Sequence, residues 1–251
     1  MRPMKTVKSL KLLTVLLIIG TSLFGCSSKE KNLNTADGLF EYAKEFDESE
    51  RYEVALQKYA EVRNKFPYSS FATEAELAIA DVHYKRESYT EAEIAYQNFR
   101  DLHPKHPKSD YVLYKIAMSY YMQLPETIDR DLTSGKDAIY HFSELIKIYP
   151  LSQFSVEAKT KREDVINRQA QKELYIADFY LKQKKYSAAY RRYENALAKF
   201  PGLGYDPRAH LGAARSAKGL TDIESVKKHT SILFSKYSSS EEAKQAQKEG
   251  F

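Results

Sequence analysis

The feature that most constrains this chain is a recurring pattern of aromatic residues, alanine and proline. In its clearest copy an aromatic residue is followed by alanine, a second aromatic, a third aromatic and then proline. This copy is Tyr52–Ala55–Tyr59–Phe66–Pro67, and the same spacing returns in Tyr186–Ala189–Tyr193–Phe200–Pro201. A pattern repeated at fixed spacing is the signature of stacked helical hairpins rather than of a catalytic pocket. We therefore expect function to reside in surfaces and partners.

Other copies of the pattern are looser. One reads Tyr89–Ala92–Tyr96 and ends in His103–Pro104, and a weaker one reads Gly135–Ala138–Phe142–Tyr149–Pro150. A second alanine precedes the first by 12 residues in three units: Ala43 and Ala55, Ala80 and Ala92, Ala177 and Ala189. A small residue where two helices cross allows their backbones to approach closely. This arrangement resembles the tetratricopeptide repeat, so the predicted fold class is an all-α solenoid of about five helical hairpins.

The repeats divide residues 36–251 into units of unequal length. Their approximate bounds are 36–67, 72–104, 109–150, 154–201 and 207–238. In the third unit Ala138 follows Ala117 by 21 residues, so about nine residues are inserted near 125–131, and we expect them to bulge from the stack. The fifth unit lacks the aromatics and the proline, which is typical of a capping repeat. The stretch 154–182 has no glycine or proline and is expected to form one long helix or two.

The first 25 residues have the features of an export signal. Four basic residues precede an uncharged apolar run over 12–24, and Leu23-Phe24-Gly25-Cys26 follows. The run is too short to span a bilayer. Cys26 is the only cysteine, and the motif resembles the bacterial lipobox. That resemblance implies an S-diacylglycerol and an N-acyl chain on Cys26, and Ser27 after it implies an outer-membrane address. Residues 26–35 then form a flexible tether, and Thr35 can cap the first helix.

Charge and composition argue against several classes of function. All the acidic residues and all but four of the basic ones follow residue 25, so the remaining chain carries about +1 instead of +5. This balance gives no support for nucleic-acid binding. No nucleophile elbow, phosphate loop or zinc-ligand spacing is present, so we predict no enzyme activity, no metal and no cofactor apart from the lipid. The prolines of His103-Pro104-Lys105-His106-Pro107 favour a structural turn over a metal pair.

Tyrosine is abundant, with 20 residues, and there is no tryptophan. Most tyrosines are expected to pack between repeats. Tyr68, after the first closing proline, and the pair Tyr120-Tyr121 are instead candidates for contact with a bound peptide. Arg191-Arg192 and nearby lysines form a basic cluster, which is either a solvated helix face or the docking site of an acidic partner surface.

Two segments carry a more specific resemblance. His103-Pro-Lys-His-Pro-Lys-Ser-Asp-Tyr-Val-Leu-Tyr114 and Glu173-x-x-x-Ala177-x-Phe179-Tyr180, together with the lipobox and the repeats, resemble the BamD family of outer-membrane-protein assembly lipoproteins. The resemblance covers about residues 23–240.

The BamD resemblance implies a role. It implies a non-enzymatic subunit of the outer-membrane β-barrel assembly (BAM) complex, anchored by lipid to the outer membrane and facing the periplasm. The implied partners are the POTRA region of BamA, other Bam lipoproteins, and the C-terminal signal of unfolded outer-membrane proteins. It places substrate binding in the first repeats, including Phe66, Pro67 and Tyr68, and aligns Arg192 with a residue that communicates with BamA. The alternative is a repeat lipoprotein that serves as scaffold for another envelope machine, such as a pilus-assembly or Tol-type division system.

Overall fold

The computed structural model describes residues 32–251, and all the regular secondary structure in that range is helical. The predicted signal 1–25 and Cys26 lie outside the described residues, so the lipidation of Cys26 stays a prediction. The helices are α1 (Ala36–Glu48), α2 (Tyr52–Lys65), α3 (Ser70–Lys85), α4 (Tyr89–Leu102), α5 (Ser109–Met122), α6 (Ser134–Ile148), α7 (Ser155–Lys182), α8 (Tyr186–Lys199), α9 (Asp206–Gly219), α10 (Ile223–Lys236) and α11 (Glu241–Lys248).

Consecutive helices pack side by side as a stack of hairpins, which confirms the predicted fold class. The alanines chosen from their 12-residue spacing lie at the helix crossings and have no exposed surface: Ala43, Ala55, Ala80, Ala92, Ala177 and Ala189. The aromatics of the second helices, Tyr59, Tyr96 and Tyr193, fill the space beside them and are also buried. Thr35 caps α1, since its hydroxyl accepts a hydrogen bond from the Gly38 amide at 3.4 Å.

The segment after the third repeat forms one continuous helix. α7 has 28 residues, against 15 in α6, so it extends about 20 Å beyond its neighbour. Its first half supplies Ala158 and Val165 to the core of the third repeat, and its second half supplies Leu174 and Ala177 to the core of the fourth. One helix therefore belongs to two repeats and offsets the last part of the stack along its own axis.

The insertion between α5 and α6 does not bulge away from the stack, so that expectation was wrong. Arg168 of α7 donates a hydrogen bond to the Pro125 carbonyl, and Lys172 donates one to the Arg130 carbonyl. Leu132 is buried within the insertion. The additional length of α7 offers the inserted residues a surface to lie on, and a polar sequence gave no sign of this.

The fifth hairpin, α9 and α10, is closed by α11, which the sequence pattern did not predict. Ala243 and Ala246 of α11 are buried against Leu211 and Leu233. Ser240 caps α11 by accepting a hydrogen bond from the Ala243 amide at 3.1 Å. Within residues 32–251, no helix combines the length and apolarity that crossing a bilayer requires.

Candidate binding surfaces

The first two repeats and the turn before the third enclose an open groove of about 510 Å³, which we call the N-terminal groove. Helices α1 and α3 and the turn before α5 form its walls. Its lining residues are Phe40, Glu41, Lys44, Asp47, Tyr59, Glu74, Leu77, Ala78, Asp81, His106, Pro107 and Lys108. The groove exists because α1 and α3 are first helices of successive repeats and lie side by side.

The floor of the N-terminal groove is apolar, and its lining carries charges of both signs. Phe40 lies against Tyr59, with ring centroids 5.3 Å apart, and Leu77 and Ala78 continue the apolar surface. Four carboxylates face two lysines in the lining. Burial lowers the pKa of His106, so its imidazole is uncharged at neutral pH. The groove can therefore hold an extended segment that presents apolar side chains.

Two acidic residues of the groove are held by the protein itself. Asp47 is buried and pairs with Lys85, whose amine lies 2.6 Å from its Oδ2. Asp81 accepts hydrogen bonds from the phenols of Tyr96 at 2.5 Å and Tyr111 at 2.6 Å. Burial, and then the Asp81 charge, raises the pKa of both phenols, so they remain donors. Asp81 thus links α3 to α4 and α5 and fixes the groove wall.

The predicted substrate residues at the first closing proline lie outside this lining. Phe66 packs partly buried against the core of the first repeat, Pro67 is exposed, and Tyr68 is fully exposed. They form the turn between α2 and α3. A contact with substrate at this turn stays a prediction, and it would be separate from the groove.

Tyr120 and Tyr121 are engaged within the stack. Tyr120 donates to Glu93 Oε1 at 2.5 Å and stacks on the ring of His141, with centroids 5.5 Å apart. Tyr121 donates to Asp164 Oδ2 at 3.0 Å. As neighbours on one helix they face different partners, and neither lines the N-terminal groove. A role in peptide binding would require them to exchange these hydrogen bonds, and it also stays a prediction.

Arg192 lies at a second depression, which we call the C-terminal cleft. Its guanidinium nitrogen Nη1 lies 3.1 Å from both carboxylate oxygens of Glu173, and the side chain remains 39% exposed. The cleft of about 440 Å³ is lined by Asp131, Leu132, Thr133, Lys136, Gln169, Lys172, Glu173, Ile176, Arg192, Lys199 and Phe200. Four basic side chains against two acidic ones make it positive. It lies where the offset of α7 separates α6 from α8.

The aspartates after two crossing alanines were missed by the sequence reasoning. Asp178 follows Ala177 as Asp81 follows Ala80, and in each case the aspartate accepts from the tyrosine 15 residues later, Tyr193 or Tyr96. Asp178 also pairs with Arg208. The repeated Ala-Asp dipeptide was a usable signal for this interhelical hydrogen bond.

The turn rich in histidine and proline is tied to the protein. His103 Nε2 lies 2.7 Å from Glu76 Oε2, and its ring packs on Phe99. Among residues 32–251, no group of three or more His, Cys, Asp and Glu is arranged as a metal site.

The fold defines an all-α solenoid of tetratricopeptide-type repeats. The family described as "YfiO: Outer membrane lipoprotein" matches residues 33–233, and the chain belongs to that family.

The chain is similar to three proteins named "Outer membrane protein assembly factor BamD". It is 27% identical to that of Neisseria meningitidis serogroup A, over 65% of this chain and just under two thirds, 66%, of that protein. It is 27% identical to that of Rickettsia prowazekii, over 93% and 94% of the two chains. It is 26% identical to that of Vibrio cholerae, over 71% and 79%.

A solved structure titled "TPR2AB-domain:pHSP90-complex of yeast Sti1" is also similar. It has a TM-score of 0.47, with 11% identity, over 83% of this chain and 80% of that one.

Proposed function

We propose that this protein is a non-enzymatic lipoprotein subunit of the BAM complex that helps deliver β-barrel proteins to the outer membrane and insert them. The observation that carries the proposal is the family match over 33–233, which runs from the first hairpin into the second helix of the fifth, together with relatives named as assembly factors. A lipid on Cys26 would anchor the chain to the outer membrane, with the solenoid in the periplasm. Its partners would be the POTRA region of BamA, other Bam lipoproteins and unfolded barrel proteins.

Depletion of the protein tests this role. Outer-membrane barrel proteins should fall in abundance, and the tagged protein should copurify with a BamA-type barrel from solubilised membranes. Normal barrel levels in depleted cells would refute the proposal. Copurification with pilus or Tol-type components, without the barrel, would assign the protein to another envelope machine.

The N-terminal groove is the proposed site for the C-terminal signal of unfolded barrel proteins. Its apolar floor suits the alternating apolar side chains of an extended segment. The groove also lies in the first repeats, where the family resemblance places substrate.

Site-specific photo-crosslinking can locate the bound signal peptide. A photoreactive amino acid at Lys44, inside the groove, should crosslink to the peptide. The same amino acid at Ile94, exposed on α4 and outside the lining, is the matched control. A third probe at Tyr68 decides whether the first turn takes part. Crosslinking that is equal at Lys44 and Ile94 would remove the groove from the proposal.

The C-terminal cleft is the proposed contact for BamA. Arg192 is half-exposed at its edge, and the surrounding basic residues suit an acidic surface. Because α7 offsets this cleft from the N-terminal groove, substrate and BamA could be held at the same time.

A further inference from the structure

The first three repeats have two edges of different character. Because consecutive helices run in opposite directions, α1, α3 and α5 begin at the edge where α2, α4 and α6 end. The connections at this edge are residues 66–69, 103–108 and 149–154, which we call the proximal turns. Their contacts confirm the shared position: Ser152 donates to Asp110 at the start of α5 at 2.7 Å, and His103 reaches Glu76 of α3.

The proximal turns carry fully exposed apolar side chains. Tyr68 is 103% exposed and Leu151 is 98% exposed, each directly after a closing proline. Leu102 and Val156, next to the second and third turns, are 67% and 79% exposed. Single exposed apolar residues are ordinary, but here two of the three turns present a fully exposed one, and helix ends at the second and third turns add Leu102 and Val156 at the same edge.

The opposite edge lacks this character. Its connections are residues 49–51, 86–88 and 123–133, and they contain no exposed large apolar residue; the nearest is Met122, at 41%. These connections hold three arginines and five acidic residues. The proximal turns hold Lys105 and Lys108 and no acidic residue, while the adjoining helix ends carry both signs.

The chain also enters the fold at the proximal edge. Asn32, the first described residue, accepts a hydrogen bond from the Thr35 amide at 3.1 Å at the start of α1. Cys26 precedes Asn32 by six residues, and an extended chain of that length reaches about 20 Å. A lipid on Cys26 would therefore hold this edge close to the membrane surface, and would leave the opposite edge farther away.

We infer that the proximal turns form a membrane-contact edge, at which Tyr68 and Leu151 enter the interfacial region of a bilayer and Lys105 and Lys108 approach anionic headgroups. The inference rests on the proposed lipid anchor at Cys26. The edge then sets the orientation of the solenoid, because an anchor at one end of a chain does not by itself fix how the solenoid is turned. The N-terminal groove, bounded by the second proximal turn, is thereby held near the bilayer.

Tryptophan fluorescence tests this orientation, because the chain contains no tryptophan of its own. Leu151→Trp and Tyr68→Trp each place one reporter on the edge, and Met122→Trp is the matched control on the opposite edge. The full lipidated protein is reconstituted in vesicles of phosphatidylethanolamine and phosphatidylglycerol with brominated acyl chains. Emission at positions 151 and 68 should shift to the blue and fall by about half, since interfacial residues lie within about 10 Å of the acyl chains. Emission at position 122 should remain unquenched.

Vesicle flotation separates the two ways in which the test can fail. A protein that floats with the vesicles but shows no quenching at 151 and 68 would overturn the inference and leave the proposed function standing. A blue shift without quenching would mean that the edge contacts protein, which also overturns it. A protein that does not float would lack the anchor, and both proposals would fall. Position 68 makes no packing contact that tryptophan could disturb, so this variant keeps the test valid if Leu151→Trp misfolds.

Discussion

Acidification should destabilise the fifth repeat through a buried histidine pair. His210 of α9 and His229 of α10 are both buried, and their Nδ1 atoms lie 3.0 Å apart. One must donate and the other accept, so at least one of the two Nδ1 atoms carries no proton. His229 Nε2 lies 3.2 Å from the Tyr190 hydroxyl and 3.4 Å from Glu194 Oε1.

The magnitude follows from the pKa of His229. Burial lowers this pKa from 6.5 to about 4; the nearby Glu194 carboxylate opposes the shift, while Lys228 and His210 reinforce it. Burial lowers the pKa of His210 as well. Between pH 6.5 and 4, His229 is protonated in the unfolded chain but neutral in the folded protein. The contribution of His229 to the free energy of unfolding is therefore fully present above pH 6.5 and is lost as the pH drops toward 4. The loss is about 2 kcal/mol at pH 5 and about 3 kcal/mol in full.

Urea unfolding at pH 7 and pH 5 measures this loss. The variant His229→Gln keeps hydrogen-bonding groups at the site but does not titrate there. From pH 7 to pH 5 its free energy of unfolding should therefore fall by about 2 kcal/mol less than that of the original protein. Titrating groups that do not contact His229 are common to both proteins and cancel in the difference, whereas His210, at 3.0 Å, has a glutamine as its partner in the variant. Amide hydrogen exchange should place the acid-induced opening in α9 and α10. Parallel pH dependence in the two proteins would refute the reasoning.

Three further substitutions test the packing and the cleft. Gly212→Ala would place a methyl group 2.2 Å from Cζ of Tyr193, a ring held by Asp178, and should cost about 1–3 kcal/mol in thermal or urea unfolding; an unchanged midpoint would contradict the crossing geometry. Ala189→Trp places a large side chain at a helix crossing where Ala189 has no exposed surface, so the free energy of unfolding should fall by about 3 kcal/mol or more. Amide hydrogen exchange in α7 and α8 should become faster, and unchanged exchange there would contradict this prediction. Arg192→Glu should weaken binding to a BamA barrel in a pull-down without changing the circular dichroism, whereas Arg191→Glu, the same charge change on the exposed neighbour, should not; equal binding by both would remove the cleft.

The parts of the fold that local spacing encodes were predictable. A close helix crossing has room only for a small side chain such as alanine. The 12-residue spacing of alanines therefore predicted buried positions such as Ala43 and Ala177. The packing of the insertion against α7 could not be predicted from spacing. Its contacts with Arg168 and Lys172 use backbone carbonyls as acceptors, and every residue has a carbonyl, so no sequence pattern marks them.

The candidate surfaces were harder to predict than the core. The N-terminal groove joins residues of α1 and α3 to a turn more than 60 positions from Phe40, and only the curvature of the stack brings these together. Tyr120 lies in the repeat frame, three residues after Ala117, and the pair Tyr120-Tyr121 was expected to contact a bound peptide. Their partners, Glu93 and Asp164, are 27 and 43 residues away in sequence. The sequence showed a polar tip on each tyrosine but not what it binds.

The length of α7 connects these findings. A helix of the usual repeat length would align the third and fourth hairpins and close the space between α6 and α8, where the C-terminal cleft lies. The additional length opens that space, and the insertion lines its edge through Asp131 and Leu132. Gly135, at the start of α6, fits against the middle of α7 so closely that a methyl group would lie 2.8 Å from Val165 Cγ1. The long helix and the insertion therefore act together. The helix offsets the fourth hairpin from the third, the insertion packs against the helix at this offset, and the offset separates the cleft from the groove.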